Sequence, residues 1–239
     1  MPVDRMQWGA EAWQFADLHM PDEPSPFQND HGVPCVMLIH GGFWKKEYTL
    51  ELMQPIANAL SDAGVAAWNI EFKRWDDGDE GVWMDTLSDV LRAWGQLALL
   101  PGIDVTRSMV MGHSAGGHLV ARMLARGMLP ETVAGRLSHV MPISPLSDLR
   151  PLLQTSMNAD LKLEAAEAVA ESPIFMEDRV ECPVTVWVGS AERPAFLDQA
   201  RWLSEAWECG LVNDAGKHHF DVVDGLADAE SEMLRILLG

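Results

Sequence analysis

Short apolar runs alternate with segments of helical period along most of this chain, and that alternation restricts the fold more than any other feature. The run at 34–40 (PCVMLIH) is short and continuously apolar, as a strand buried on both faces must be. An amphipathic helix is expected over 47–63, closed by Gly64, then a strand over 65–72 and a helix over 82–100 stopped by Pro101-Gly102. A strand over 108–112, a helix over 115–127 and a strand over 137–143 follow. Residues 144–182 are less regular, with a helix expected at 161–171. The pattern then resumes: strand 184–189, helix 195–209 capped by Gly210, a last strand over 217–223 and a last helix over 226–238. Before all of this, 20–34 holds four prolines and reads as a surface connection after a short strand or strand pair. Strands alternating with helices imply right-handed crossovers and a mainly parallel central sheet with helices on both faces. Ligands in such sheets bind at the carboxyl ends of the strands.

At 239 residues the expectation is one domain over 1–239, with the irregular 144–182 segment placed where a small cap or lid over a site could sit. The formal net charge of −19 repels phosphate backbones and anionic lipid, so neither nucleic acid nor membrane is an expected partner. A small molecule is, and both monomer and homodimer remain open. The first residues show no basic segment leading into an apolar run, and no stretch approaches the roughly 18 apolar residues of a membrane span. Cys35, Cys182 and Cys209 lack metal-ligand spacing, which points to reduced structural thiols, a cytoplasmic location and no metal.

The chemistry-bearing residues sit at strand ends. Gly112-His113-Ser114-Ala115-Gly116 is a G-x-S-x-G sequence between an expected strand and an expected helix. A nucleophilic serine on a tight strand-to-helix turn needs that context, with small flanking residues and helix N–H dipoles beside its oxygen. His40-Gly41-Gly42-Phe43-Trp44 follows the strand at 34–40, where two glycines let a loop aim N–H groups at a developing oxyanion. Gly42 and Phe43 are the expected loop donors and Ala115 the donor after the nucleophile, while His40 is expected to brace the loop. A base should follow near the C-terminus, where His218 and His219 both lie. The acid is expected in the loop after VTVWVG, in which Glu192 is the only carboxylate; Asp198, further on, is the alternative.

HGGFW together with GHSAGGHL resembles kynurenine formamidase (arylformamidase), a branch of the α/β-hydrolase superfamily with an HGGxW loop. The resemblance continues in SPLSDLRPLLQTSMN at 144–158, AERPAFLDQARWL at 191–203 and HHFDVVD at 218–224; the first 30 residues match only loosely. It implies the α/β-hydrolase fold, a Ser114–Glu192–His219 triad and an oxyanion loop at 40–44. Many relatives carry Asp where this chain has Glu192. The implied reaction is cleavage of an aryl formamide such as N-formylkynurenine through a formyl-enzyme, without a cofactor, with Phe43 and Trp44 as an aromatic wall for the substrate. The alternative is a short-chain carboxylesterase, since hormone-sensitive-lipase-like esterases share an HGG loop but usually have a small residue where Phe43 stands.

Overall fold

The computed structural model describes residues 3–22, 24–75, 82–129, 136–228 and 230–238. Eight strands form one sheet: β1 (Val3–Gln7), β2 (Phe15–His19), β3 (Val33–Ile39), β4 (Ala66–Ile70), β5 (Ile103–His113), β6 (Leu137–Ile143), β7 (Thr185–Gly189) and β8 (Gly210–Asp214). Their order across the sheet is β1-β2-β4-β3-β5-β6-β7-β8. Only β1 with β2 and β2 with β4 pair antiparallel; every later neighbour is parallel. This is the α/β-hydrolase fold.

The period of two along β3 shows how both faces are covered. Cys35, Met37 and Ile39 join one apolar cluster with α2 (Val82–Gln96) and α3 (Ala115–Arg122). Val36 and Leu38 join the other, with α1 (Gln54–Asp62) and the C-terminal helix Glu232–Leu238. All five side chains are fully buried, which is why the strand reads as a continuous apolar run. Among the described residues no helix is long and apolar enough to cross a membrane.

Several boundaries differ from the sequence expectation, each for a local reason. The segment expected to be helical from 47 opens instead with a 3-10 turn, Leu50–Met53, capped by Thr49, and α1 begins only at Gln54 ahead of Pro55. The helix expected over 161–171 is two pieces, Asn158–Leu161 and Ala165–Ala170, separated by left-handed backbone at Lys162 (φ 49°). The helix Pro194–Trp207 ends on Glu208, not Gly210, with Glu208 itself left-handed (φ 50°). Gly210 instead opens β8. The last strand therefore lies at Gly210–Asp214 and not over 217–223. As an edge strand, β8 is only half-buried and lacks the apolar signature that a central strand carries. The apolar-looking 217–223 is a turn: the Asp221 carboxylate accepts from the His218 N–H at 2.6 Å, and a 3-10 helix starts at Val222.

Candidate active site

Strand β5 delivers its last residue, His113, to the carboxyl edge of the sheet, and the chain reverses into α3 within one residue. That residue is Ser114, with φ 55° and ψ −114°, a conformation that costs a non-glycine residue about 1–3 kcal/mol and persists only where its surroundings enforce it. Here the Ser114 N–H donates to the Ile143 carbonyl at 2.8 Å, and the helix starting at Ala115 fixes the other side. The start of α3 can also lie this close to the end of the neighbouring strand β3 because position 116 is glycine: a Cβ there would lie 2.1 Å from the Ile39 carbonyl oxygen.

The loop after β3 comes from the neighbouring strand. Gly42 has φ 103°, and a Cβ on it would overlap the Tyr48 side chain, so the backbone conformation and the packing both require glycine. Phe43 and Trp44 are also left-handed, at φ 52° and 57°. The turn is held by Lys45 N–H donating to Gly42 O at 3.0 Å and Trp75 N–H to Trp44 O at 2.5 Å. Among the described residues neither the Gly42 nor the Phe43 N–H donates to a backbone carbonyl. His40 lies under this loop, fully buried and stacked on Phe72, with Nδ1 2.8 Å from Gly41 O and Nε2 2.9 Å from Glu71 Oε1. Glu71 also accepts from the Leu50 and Phe72 N–H groups. His40 thus joins the loop to β4's continuation and makes no contact with Ser114 among the bonds described.

The other two side chains arrive from the far half of the sheet. The turn that follows β8 carries His219, whose Nε2 is 3.1 Å from Ser114 Oγ and whose Nδ1 is 2.7 Å from Glu192 Oε2. A neutral imidazole in this line donates from Nδ1 to the carboxylate and accepts from the hydroxyl at Nε2. Glu192 is in the loop after β7. Its second oxygen accepts from Ser144 Oγ and, at 3.0 Å, from the Gly189 N–H. Burial by itself would push the Glu192 carboxyl up; the hydrogen bonds from His219, Ser144 and Gly189 outweigh it and hold the group below its usual range. Asp198, the alternative acid, points to solvent and pairs with Arg201 at 3.1 Å. His218 turns outward towards Asp221. The structure thus brings Ser114, His219 and Glu192 into one hydrogen-bonded line and leaves Asp198 and His218 outside it.

These residues open onto a cavity of about 440 Å³, within the range of small-molecule sites. Its walls are mainly apolar: Phe43, Leu52, Met53, Met157, Phe196, Phe220 and Val223, with Gly42, Tyr48, His113 and Arg193. Phe196 stacks on the His219 ring at 4.0 Å between centroids, and Phe220 meets it edge-on at 5.5 Å. His113, 4.6 Å from His219, is kept neutral by burial and then by the neighbouring imidazole, its pKa lowered to about 4.

Trp44 corrects the sequence expectation. The sequence resemblance puts it with Phe43 in the substrate wall, but its ring is buried in the core, edge-on to His118 at 5.1 Å, and does not line the cavity. Two consecutive left-handed residues turn neighbouring side chains to opposite sides of the loop, one into the cavity and one under it. Sequence reasoning missed Ser144, Phe196, Arg193, Tyr48 and Phe220. Arg193 precedes Pro194 and Phe196 lies two residues after it, just past Glu192, within reach of a helix-start argument, whereas Ser144 carries no signal. Among the described residues no group of three or more His, Cys, Asp or Glu side chains could hold a metal ion.

The BD-FAE family matches residues 17–128. The kynurenine formamidase of Danio rerio is 25% identical over 97% of this chain and 79% of its own length. A solved "putative thioesterase" from Silicibacter sp. TM1040 is 39% identical, covers 98% of this chain and 84% of its own, and superposes with a TM-score of 0.86. The propionate-bound esterase Est2 of Thermogutta terrifontis superposes with a TM-score of 0.71 at 19% identity, covering 91% of this chain and 84% of its own.

Proposed function

Because the chain belongs to the α/β-hydrolase superfamily, in its kynurenine formamidase-like branch, and is a hydrolase, we propose that it is a serine hydrolase acting on aryl formamides such as N-formylkynurenine. The observation that carries the reading is the Ser114–His219–Glu192 line at the base of an aromatic-walled cavity. His219 Nε2 takes the Ser114 proton as Oγ attacks the formyl carbon, and Glu192 stabilises the imidazolium that forms. The oxyanion is received by the Ala115 N–H at the start of α3 and by Gly42 and Phe43 in the loop. His219 then protonates the departing aryl amine. Water, activated by the same imidazole, attacks the formyl ester and frees formate. Phe43, Phe196 and Phe220 offer the aryl group its apolar surface.

A second reading, hydrolysis of short-chain esters or thioesters, draws support from the 39% identical thioesterase-like structure. The same serine, base and amides would serve it, and only the acyl and leaving groups differ. Values of kcat/KM for N-formylkynurenine, its N-acetyl counterpart, p-nitrophenyl acetate and butyrate, and a short acyl thioester separate the two. Formamide is expected to lead, with acetyl amide lower by about tens to hundreds of fold, the effect of one methylene in a tight pocket. Best turnover of the butyrate ester or the thioester, with none of N-formylkynurenine, replaces the first reading by the second.

A further inference from the structure

Arg193 is the one permanently charged side chain among the described residues that line the cavity. The chain carries 36 acidic against 17 basic residues, and most of its described arginines sit against a carboxylate: Arg5 on Asp17, Arg107 on Asp104, Arg122 on Glu171, Arg150 on Asp148. Arg193 has no such partner among the described residues. Its sequence neighbour Glu192 is turned inward and committed to His219, Ser144 and Gly189, so that adjacent carboxylate is already taken. Lys45, across the loop, is paired with Asp160. Nor is Arg193 needed to start the helix Pro194–Trp207: it occupies the capping position with extended backbone and no side-chain cap bond.

A planar guanidinium at the lip of an apolar cavity, on a surface of net charge −19, is suited to a carboxylate, which it can meet through two parallel hydrogen bonds. The surrounding negative charge would repel such a substrate from any other approach. We infer that Arg193 is a specificity-determining residue that selects substrates bearing an anionic group away from the scissile bond, a carboxylate above all. This rests on the cavity at Ser114 being the site of hydrolysis, but not on formamide being the bond cleaved.

The test uses matched pairs: an aryl formamide with and without a carboxylate on the aryl part, and an aryl acetate with and without the same carboxylate. The readout is the ratio of kcat/KM for the charged over the neutral member of each pair. In wild type this ratio exceeds one and falls as salt is raised. Arg193→Gln lowers it about 10- to 100-fold, chiefly through KM, and Arg193→Lys restores part of it. A ratio that Arg193→Gln leaves unchanged in both pairs overturns the inference. Loss of all formamide turnover in wild type, with the charge ratio intact in the acetate pair, overturns the formamidase reading and supports Arg193. Circular dichroism and melting of both variants keep a folding defect from passing as a binding one.

Discussion

Glu192 reaches one methylene further than an aspartate would, and its Oε1 meets Ser144 Oγ. With Oε1 held by Ser144 Oγ and the Gly189 N–H, Oε2 is left to face His219. Glu192→Gln is expected to lower kcat by several orders of magnitude, because an amide cannot both accept from Nδ1–H and stabilise the imidazolium. Asp198→Asn, at an exposed pair with Arg201, is expected to change kcat less than about threefold. Kinetics on the two folded variants check this, and the reverse ranking removes Glu192 from the role of acid. Trp44→Ala belongs to the same scale with a different consequence. Its ring is core, so the change is expected to destabilise the fold by about 3–5 kcal/mol in urea unfolding, not to reorder substrate preference.

At the scale of elements, three strand ends and one edge turn converge on the cavity, and the tightest joint is the β5–α3 turn. Gly116→Ala places a methyl against the Ile39 carbonyl, which belongs to a central strand and cannot withdraw. Both melting temperature and activity are expected to fall together; an active, fully stable Gly116→Ala protein would mean that β3 and α3 are less close than described. The elements of this joint were legible in the sequence because a strand buried on both faces announces itself: 34–40 reads as an apolar run, and the glycines flanking Ser114 mark the turn. Strand β8 was not legible, since an edge strand half-exposed to water has no such run. The His219 turn reads as that strand because Phe220, Val222 and Val223 carry strand-like residue types, although Phe220 is 80% exposed at the cavity mouth. Trp44 shows a further limit. Which side of a loop a residue faces depends on backbone dihedrals, and left-handed geometry at two bulky residues has no signature in residue type.

Over the whole molecule, buried histidines tie stability to pH. His118 is 1% exposed, with Nε2 2.8 Å from the Glu171 carbonyl, and burial first of all lowers its pKa to about 3. Its folded pKa lies below its unfolded one, so above about pH 6.5 neither state binds the proton and nothing is lost. As the pH falls from there towards 3, the unfolded chain takes up a proton that the folded chain refuses, and stability declines by about 1.4 kcal/mol per unit from this group. Glu192, held below its usual range, adds to the loss at the acid end. Urea midpoints are expected to stay level from pH 8 to about 6.5 and to fall from there to pH 4, less steeply in His118→Gln; equal slopes in the two proteins below about pH 6.5 would assign the acid sensitivity elsewhere. The cysteines fit the same picture of a quiet interior. Cys35 is fully buried and Cys182 is raised, first by burial, to about 11, so neither is a thiolate at neutral pH.

The proposal that a strained serine, a stacked imidazole and a buried glutamate form one hydrolytic unit is tested most directly by covalent labelling. A fluorophosphonate should modify the folded protein once, the labelled peptide should map to Ser114, and His219→Ala should slow labelling at least about a thousandfold. Modification at another serine with Ser114 untouched, or labelling as fast in His219→Ala as in wild type, would contradict it.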